Sequence, residues 1–300
     1  MVALAAKTSI FGSYEFVVRR LHSLTGLVPI GGYLFIHLAT NDSIMDGGPT
    51  FQSRVDQIHS LGPTTLLLVE WFFIFLPILF HGLVGLLIVS RGERNVINYP
   101  YPENVRYTLQ RWTGVIAFAF ILWHVFQMHG WFRWEWWQVH VAQPLGGARF
   151  DPHNAAVTAA AALQASPLTR LAYVVGVSAC VYHLANGLWT MGITWGVWTS
   201  PRAQRWANIP CAAFGVLLAI TGIVALWGML TFPVPDRATP ATPRQQTGQF
   251  PAGGGESRTL KAGEEASLPR FSAVRVPTAA PSDSPISTAH VVPQAHQGAL

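Results

Sequence analysis

Four histidines stand among apolar neighbours: His37 in YLFIHLAT, His81 in PILFHGLVG, His124 in ILWHVFQ and His183 in VYHLANGLW. Each falls in a different apolar segment. An imidazole offers one nitrogen as a hydrogen-bond donor and the other as an acceptor or metal ligand. One such histidine by itself reads as a satisfied hydrogen bond between helices. Four, one to a segment, read as a ligand set, because an ionisable group at membrane depth is costly and normally has a partner and a purpose. The remaining histidines are placed differently. His59, His140, His153, His290 and His296 fall in connections or the terminal region, and His22 and His129 lie near segment boundaries.

The segments that must position these side chains are Leu24–Ala39, Thr65–Val89, Trp112–Met128 and Leu168–Gly192. A fifth, Ile209–Leu230, has no histidine. Half of the residues are hydrophobic and only 11% are charged, against about 25% charged in a soluble domain. Crossing a bilayer takes about 20 residues. The first segment is short, but the preceding RRLHS extends it into the headgroup layer. Polar, Gly/Pro-marked stretches such as NDSIMDGGPT and NYPYPEN connect the segments. The fold class is therefore an all-α membrane protein of five transmembrane helices, the first four forming a four-helix bundle, over residues 1–232. Residues 233–300 are rich in Pro, Ala, Ser, Thr and Gly and hold about half of all prolines. That composition predicts a disordered tail.

Other features exclude other classes. The net charge of +5 comes from scattered basic residues, with no Lys/Arg stripe for nucleic acid. Cys180 and Cys211 lie in apolar runs and form neither a CxxC motif nor a disulfide framework. Lys7, Glu15, Arg19 and Arg20 interrupt the first twenty residues, which do not read as a cleavable signal peptide.

Lys/Arg placement sets orientation. The N-terminal region and the second and fourth connections hold Lys7, Arg19, Arg20, Arg91, Arg94, Arg106, Arg111, Arg202 and Arg205. The opposite side holds Arg54, Arg133, Arg149 and Arg170. The bias puts the N-terminus in the cytoplasm and the C-terminus outside.

With that orientation the histidines fall at two depths. At 1.5 Å per residue, His37 and His124 lie roughly 20 and 18 Å in from the cytoplasmic side, and His81 and His183 roughly 24 and 21 Å in from the outside. In a hydrocarbon core of about 30 Å, His37 pairs with His124 nearer the outside and His81 with His183 nearer the cytoplasm. Two imidazoles from two helices, at each of two levels, are what two b-type haems require as axial ligands. A flat, wide macrocycle also needs small neighbours, which Gly82 and Gly85, Ala185 and Gly187, and Gly31 and Gly32 offer. Small residues equally serve close helix packing.

The strings EFVVRRLHSLTGLVPIGGYLFIHL, LQRWTGVIAFAFILWHV and VYHLANGLWTMGITWGVWTSPRAQR resemble the dihaem cytochrome b subunit of Bacillus-type succinate dehydrogenase, the single-polypeptide, five-helix anchor. The resemblance covers roughly residues 12–232. It departs in the longer third connection, residues 131–167, and in the tail. It implies that His37, His81, His124 and His183 are the haem ligands, in the same two pairs. It also implies that the chain anchors a flavoprotein and an iron–sulfur subunit at the cytoplasmic membrane. Electrons would then pass between them and a quinone, usually menaquinone. The chain itself would be a non-catalytic electron-transfer subunit without a dicarboxylate site.

Glu70 is the one carboxylate inside a segment, about a turn and a half from the outer face. It reads as a proton-handling group for a quinone, or equally as a hydrogen-bond partner of a neighbouring helix. WFRWEWW beside it reads as an aromatic interface belt. Arg19, Arg20 and Arg111 stand at the cytoplasmic mouth, where haem propionates need cations and membrane anchors need positive charge. Ser23 and His22 share that mouth. Trp189 and Trp195 read as interface residues or as contacts for the catalytic subunits. Two other classes fit the sequence less fully: a stand-alone haem conduit of the cytochrome b561 kind, and a structural anchor without haem.

Overall fold

A computed structural model describes residues 10–92 and 96–235. Among these residues every element is helical. Five helices are long and apolar enough to cross a membrane: Tyr14–Asp46, Pro63–Ser90, Pro102–His129, Pro167–Thr194 and Pro201–Thr231. They are the five expected spans, each longer than its apolar stretch. Span two begins at Pro63, span three at Pro102, span four at Pro167 and span five at Pro201, where a proline's fixed φ and missing N–H cost the helix nothing. Spans four and five are further capped by Ser166 and Ser200, whose hydroxyls accept the amides of Thr169 and Ala203. The tail beyond residue 235 lies outside the described residues.

Span one is not uniform. Its middle, Gly26–Gly31, is wound as a π turn around Pro29. Proline cannot donate to the carbonyl four residues back, and the wider winding absorbs the missing bond. Span two has a similar turn at Glu70–Phe75, just before Pro77. Both turns re-aim the side chains that follow.

The spans pack through small residues. A Cβ on Gly176 of span four would stand 2.1 Å from Phe120 of span three. Gly215 and Gly222 of span five abut Ala185 and Val177 of span four, and Gly228 abuts Ile44 of span one. Without a hydrophobic drive between helices in lipid, close approach of this kind carries the association. Large apolar side chains such as Phe72, Leu83, Ile220 and Ile223 are exposed on the outer faces, as a lipid-facing surface requires.

Two segments read as connections prove structured. Gly48–His59 and Ala155–Gln164 are helices that pack on each other and on the ends of spans one and five. Phe51, Val55, Ala156, Ala159, Ala160 and Leu163 are buried there with Ile44, Tyr173 and Met229. Gln52 ties the layer together by accepting from the Ala155 amide at 2.9 Å and donating to the Pro152 carbonyl at 2.7 Å. The long third connection thus caps one end of the bundle.

Candidate haem and quinone sites

A cavity of about 1000 Å³ runs between the spans, reaching Gly222, Ala225 and Met229 of span five as well as the first four, and all four intramembrane histidines line it. The imidazoles meet in twos. His37 and His124 have ring centroids 5.8 Å apart, and His81 and His183 are 6.0 Å apart. The rings of each pair stand nearly perpendicular, at 72° and 83°. Two imidazoles that shared one metal, each with a nitrogen about 2.0–2.1 Å from it as in zinc sites, would stand roughly 6 Å apart by centroid. Among the described residues no three His, Cys, Asp or Glu side chains form a metal-binding group.

Backbone carbonyls fix which nitrogen two of the rings offer. His81 Nδ1 donates to the His22 carbonyl at 2.8 Å, and His183 Nδ1 donates to the Gln110 carbonyl at 3.0 Å. A carbonyl only accepts, so a ring bonded to it carries its proton on Nδ1 and leaves Nε2 free for a metal; Gln110 Nε2, 3.2 Å from the same His183 nitrogen, has the His183 carbonyl as its acceptor at 3.1 Å. His124 Nδ1 lies 3.0 Å from the Tyr173 hydroxyl. His37 makes no such ring bond among the described residues and instead stacks on Tyr33, centroids 5.4 Å apart.

The spaces beside the His81/His183 pair are cut by two glycines that sequence reasoning did not single out. A Cβ on Gly26 would lie 2.3 Å from His81 Cε1, and one on Gly114 would lie 2.7 Å from His183 Cε1. Of the glycines it did single out, Gly82 makes room for Phe118, Gly85 for His22 and Gly31 for Leu184, while Gly187 faces Gln110 and Gly32 has open space. His22 lies flat on His81, centroids 4.1 Å apart and planes 7° from parallel. The composition of the cavity wall, its paired imidazoles and these cleared positions fit two bis-histidine b haems.

The His183 level is braced by a polar network. Gln110 donates to the His183 carbonyl at 3.1 Å and accepts from Asn186 at 2.6 Å. Arg106 donates to Asn186 and, at 2.6 Å, to Asn208 of span five. Its guanidinium also lies over the Trp189 ring at 3.7 Å.

The sequence has a relative among known proteins. The chain is 34% identical over 220 residues to the succinate dehydrogenase cytochrome b558 subunit of Bacillus subtilis (strain 168), a match covering 73% of this chain and 99% of that protein. The chain belongs to the succinate dehydrogenase cytochrome b subunits. It is a multi-pass membrane protein. No family model matches it.

In this cytochrome b subunit the three arginines named above part company. Arg19 and Arg111 line the cavity. Arg19 also pairs with Glu15 at 2.7 Å, and Arg111 lies over the Tyr107 ring at 4.0 Å. Arg20 is not among the lining residues; its guanidinium sits over Phe16 and Trp195. Trp195 donates to Ser23 at 2.9 Å and Trp189 to the Gln204 carbonyl at 3.0 Å.

At the far end of the cavity Glu70 opens the second π turn and is ion-paired with Arg133 of the third connection. Arg133 also donates to His129 Nε2 at 3.0 Å. Gly130 and Trp131 bring Arg133 there by turning the chain with φ of 80° and 67°. The Trp131 indole holds that left-handed backbone by donating to the Leu122 carbonyl at 2.9 Å. Glu70 is therefore a paired carboxylate; its partner comes from the loop, which no helix periodicity could reveal.

Proposed function

We propose that this chain is the subunit that anchors a flavoprotein and an iron–sulfur subunit to the cytoplasmic membrane and carries electrons between them and a quinone, with menaquinone the expected one. The reading places two b haems in the cavity, one held by His81 and His183 and the other by His37 and His124. The observation that carries it is the spacing of the two imidazole pairs, 6.0 and 5.8 Å by centroid, in a family named for its cytochrome. A bound haem supplies one-electron transfer between ferric and ferrous iron.

The protein's own groups do the rest. Backbone carbonyls of His22 and Gln110 orient His81 and His183. Arg19 and Arg111 offer guanidinium forks to propionates at the cytoplasmic mouth, while Arg20 faces Phe16 and Trp195. The N-terminus is cytoplasmic in this reading and the C-terminus outside. At the outer end Glu70 exchanges protons with the quinone, since quinone reduction takes up protons and quinol oxidation releases them. Arg133 holds the carboxylate toward the cavity, and His129 lies beside it.

Purification of the tagged chain from its native membrane tests the whole. The expected result is co-purification with a flavoprotein and an iron–sulfur protein and a reduced-minus-oxidised spectrum of b haem. A chain that carries haem and brings no such partners contradicts the assignment and returns the stand-alone conduit.

A further inference from the structure

The hydrogen bond to His124 differs in kind from those to His81 and His183. A carbonyl dictates the direction of the proton; a hydroxyl does not, because it can donate or accept. The Tyr173 hydroxyl lies 3.0 Å from His124 Nδ1 and 2.7 Å from Gln127 Oε1, and Gln127 Nε2 lies 3.0 Å from the Ala162 carbonyl. Tyr173 and Gln127 are each only 4% exposed, so water does not compete for these bonds.

Directions follow from the far end of this chain. The Ala162 carbonyl only accepts, so it must face the Gln127 amide nitrogen. That turns Gln127 Oε1 toward Tyr173. The Tyr173 hydroxyl must then donate to Gln127, and its oxygen must accept from His124. His124 consequently carries its proton on Nδ1, and Nε2 is left bare. Were the hydroxyl free to turn, it could donate to Nδ1 and favour a proton on Nε2, the nitrogen that a metal needs.

We propose that Tyr173 and Gln127 are positioning residues for His124, a relay ending on the Ala162 carbonyl that holds the ring in its metal-binding tautomer and strengthens Nε2 as a base. The proposal rests on the reading of His124 as a haem ligand. It spans three elements, because Gln127 sits one turn beyond His124 on span three, Tyr173 is on span four and Ala162 is on the capping helix Ala155–Gln164. The long third connection thereby contributes to the electronic setting of one haem and not the other. Donation from Nδ1 raises the basicity of the ligating nitrogen, and a more basic ligand favours ferric over ferrous iron.

The test is a redox titration of the full chain in its membrane complex. Tyr173→Phe keeps the ring that packs on Phe120 and Trp123 and removes only the hydroxyl. The spectral component abolished by His124→Ala should become easier to reduce by at least tenfold in its ferrous-to-ferric ratio, 59 mV for one electron, with the other component unmoved. Gln127→Met should shift the same component in the same direction while leaving the Tyr173 hydroxyl in place. Two bound haems with unmoved potentials in Tyr173→Phe overturn the relay, as does an equal shift of both components. A Tyr173→Phe chain that drops this haem hands the decision to Gln127→Met, where an unmoved potential overturns it. Failure of the underlying reading looks different: His124→Ala would then abolish no haem component.

Discussion

Gly26 and His81 are so close that a single added methyl on the glycine would stand 2.3 Å from the imidazole Cε1. His81 cannot step aside cheaply, since its Nδ1 is bonded to the His22 carbonyl and its face is covered by the His22 ring. Overpacking of this kind costs about 1–3 kcal/mol. Gly26→Ala should weaken or abolish the haem component that His81→Ala abolishes and spare the other. Gly114→Ala should act on the same component, because its methyl would stand 2.7 Å from His183 Cε1. Haem content and difference spectra of the two variants decide it; loss of the opposite component contradicts the site.

Those two glycines also mark the limit of what the sequence carries. The apolar runs and the one-per-segment histidines were legible because lipid imposes a length and because a charged or ionisable group in lipid stands out. The pairing of His37 with His124 and of His81 with His183 followed from helix rise together with the alternating direction of successive spans. Glycine has no such signature: small residues are frequent in membrane helices for packing alone, and which glycine of SLTGLVPIGG faces an imidazole depends on how span one turns at Pro29. Likewise the capping helices Gly48–His59 and Ala155–Gln164 read as connections, because the first buries only Phe51 and Val55 along an otherwise polar stretch and the second buries mostly alanines. Arg133 reaches Glu70 only through the left-handed turn at Gly130 and Trp131, a relation between residues 63 apart in the chain.

For Glu70 the ion pair makes the variant sharper. Glu70→Gln keeps size and hydrogen-bonding capacity but cannot take up or release a proton. Both haems should remain, and succinate oxidation with artificial acceptors should survive. Electron transfer to quinone should fall at least tenfold, about 1.4 kcal/mol of barrier. Quinone-linked and dye-linked rates measured on the same preparation separate the outcomes. An unchanged quinone rate means that Glu70 serves only to hold Arg133.

Orientation can be read with single cysteines, since Cys180 and Cys211 are buried. Ser60, between spans one and two, and Asn98, between spans two and three, are both exposed. Ser60→Cys should react with a membrane-impermeant maleimide in intact cells, and Asn98→Cys only after permeabilisation. The reverse pattern would place the N-terminus outside and move Glu70 to the cytoplasmic face.

The inner network gives a further expectation. Arg106→Ala removes donors to Asn186 and Asn208 and leaves both amide oxygens without their cationic partner. Breaking a partly buried charged hydrogen bond costs about 1.5–3 kcal/mol. Thermal loss of the His81/His183 haem should therefore occur at lower temperature than in the parent, with the His37/His124 haem less affected. Equal thermal behaviour of both haems would show that the network does not brace that level.

The central claim is that the four histidines hold two haems in two specific pairs, and haem stoichiometry with difference spectra in four single variants tests it most directly. The parent chain should bind two low-spin b haems. His37→Ala and His124→Ala should lose one and the same spectral component, and His81→Ala and His183→Ala the other. A parent with one haem or none, or loss of a shared component in His37→Ala and His81→Ala, would contradict the account.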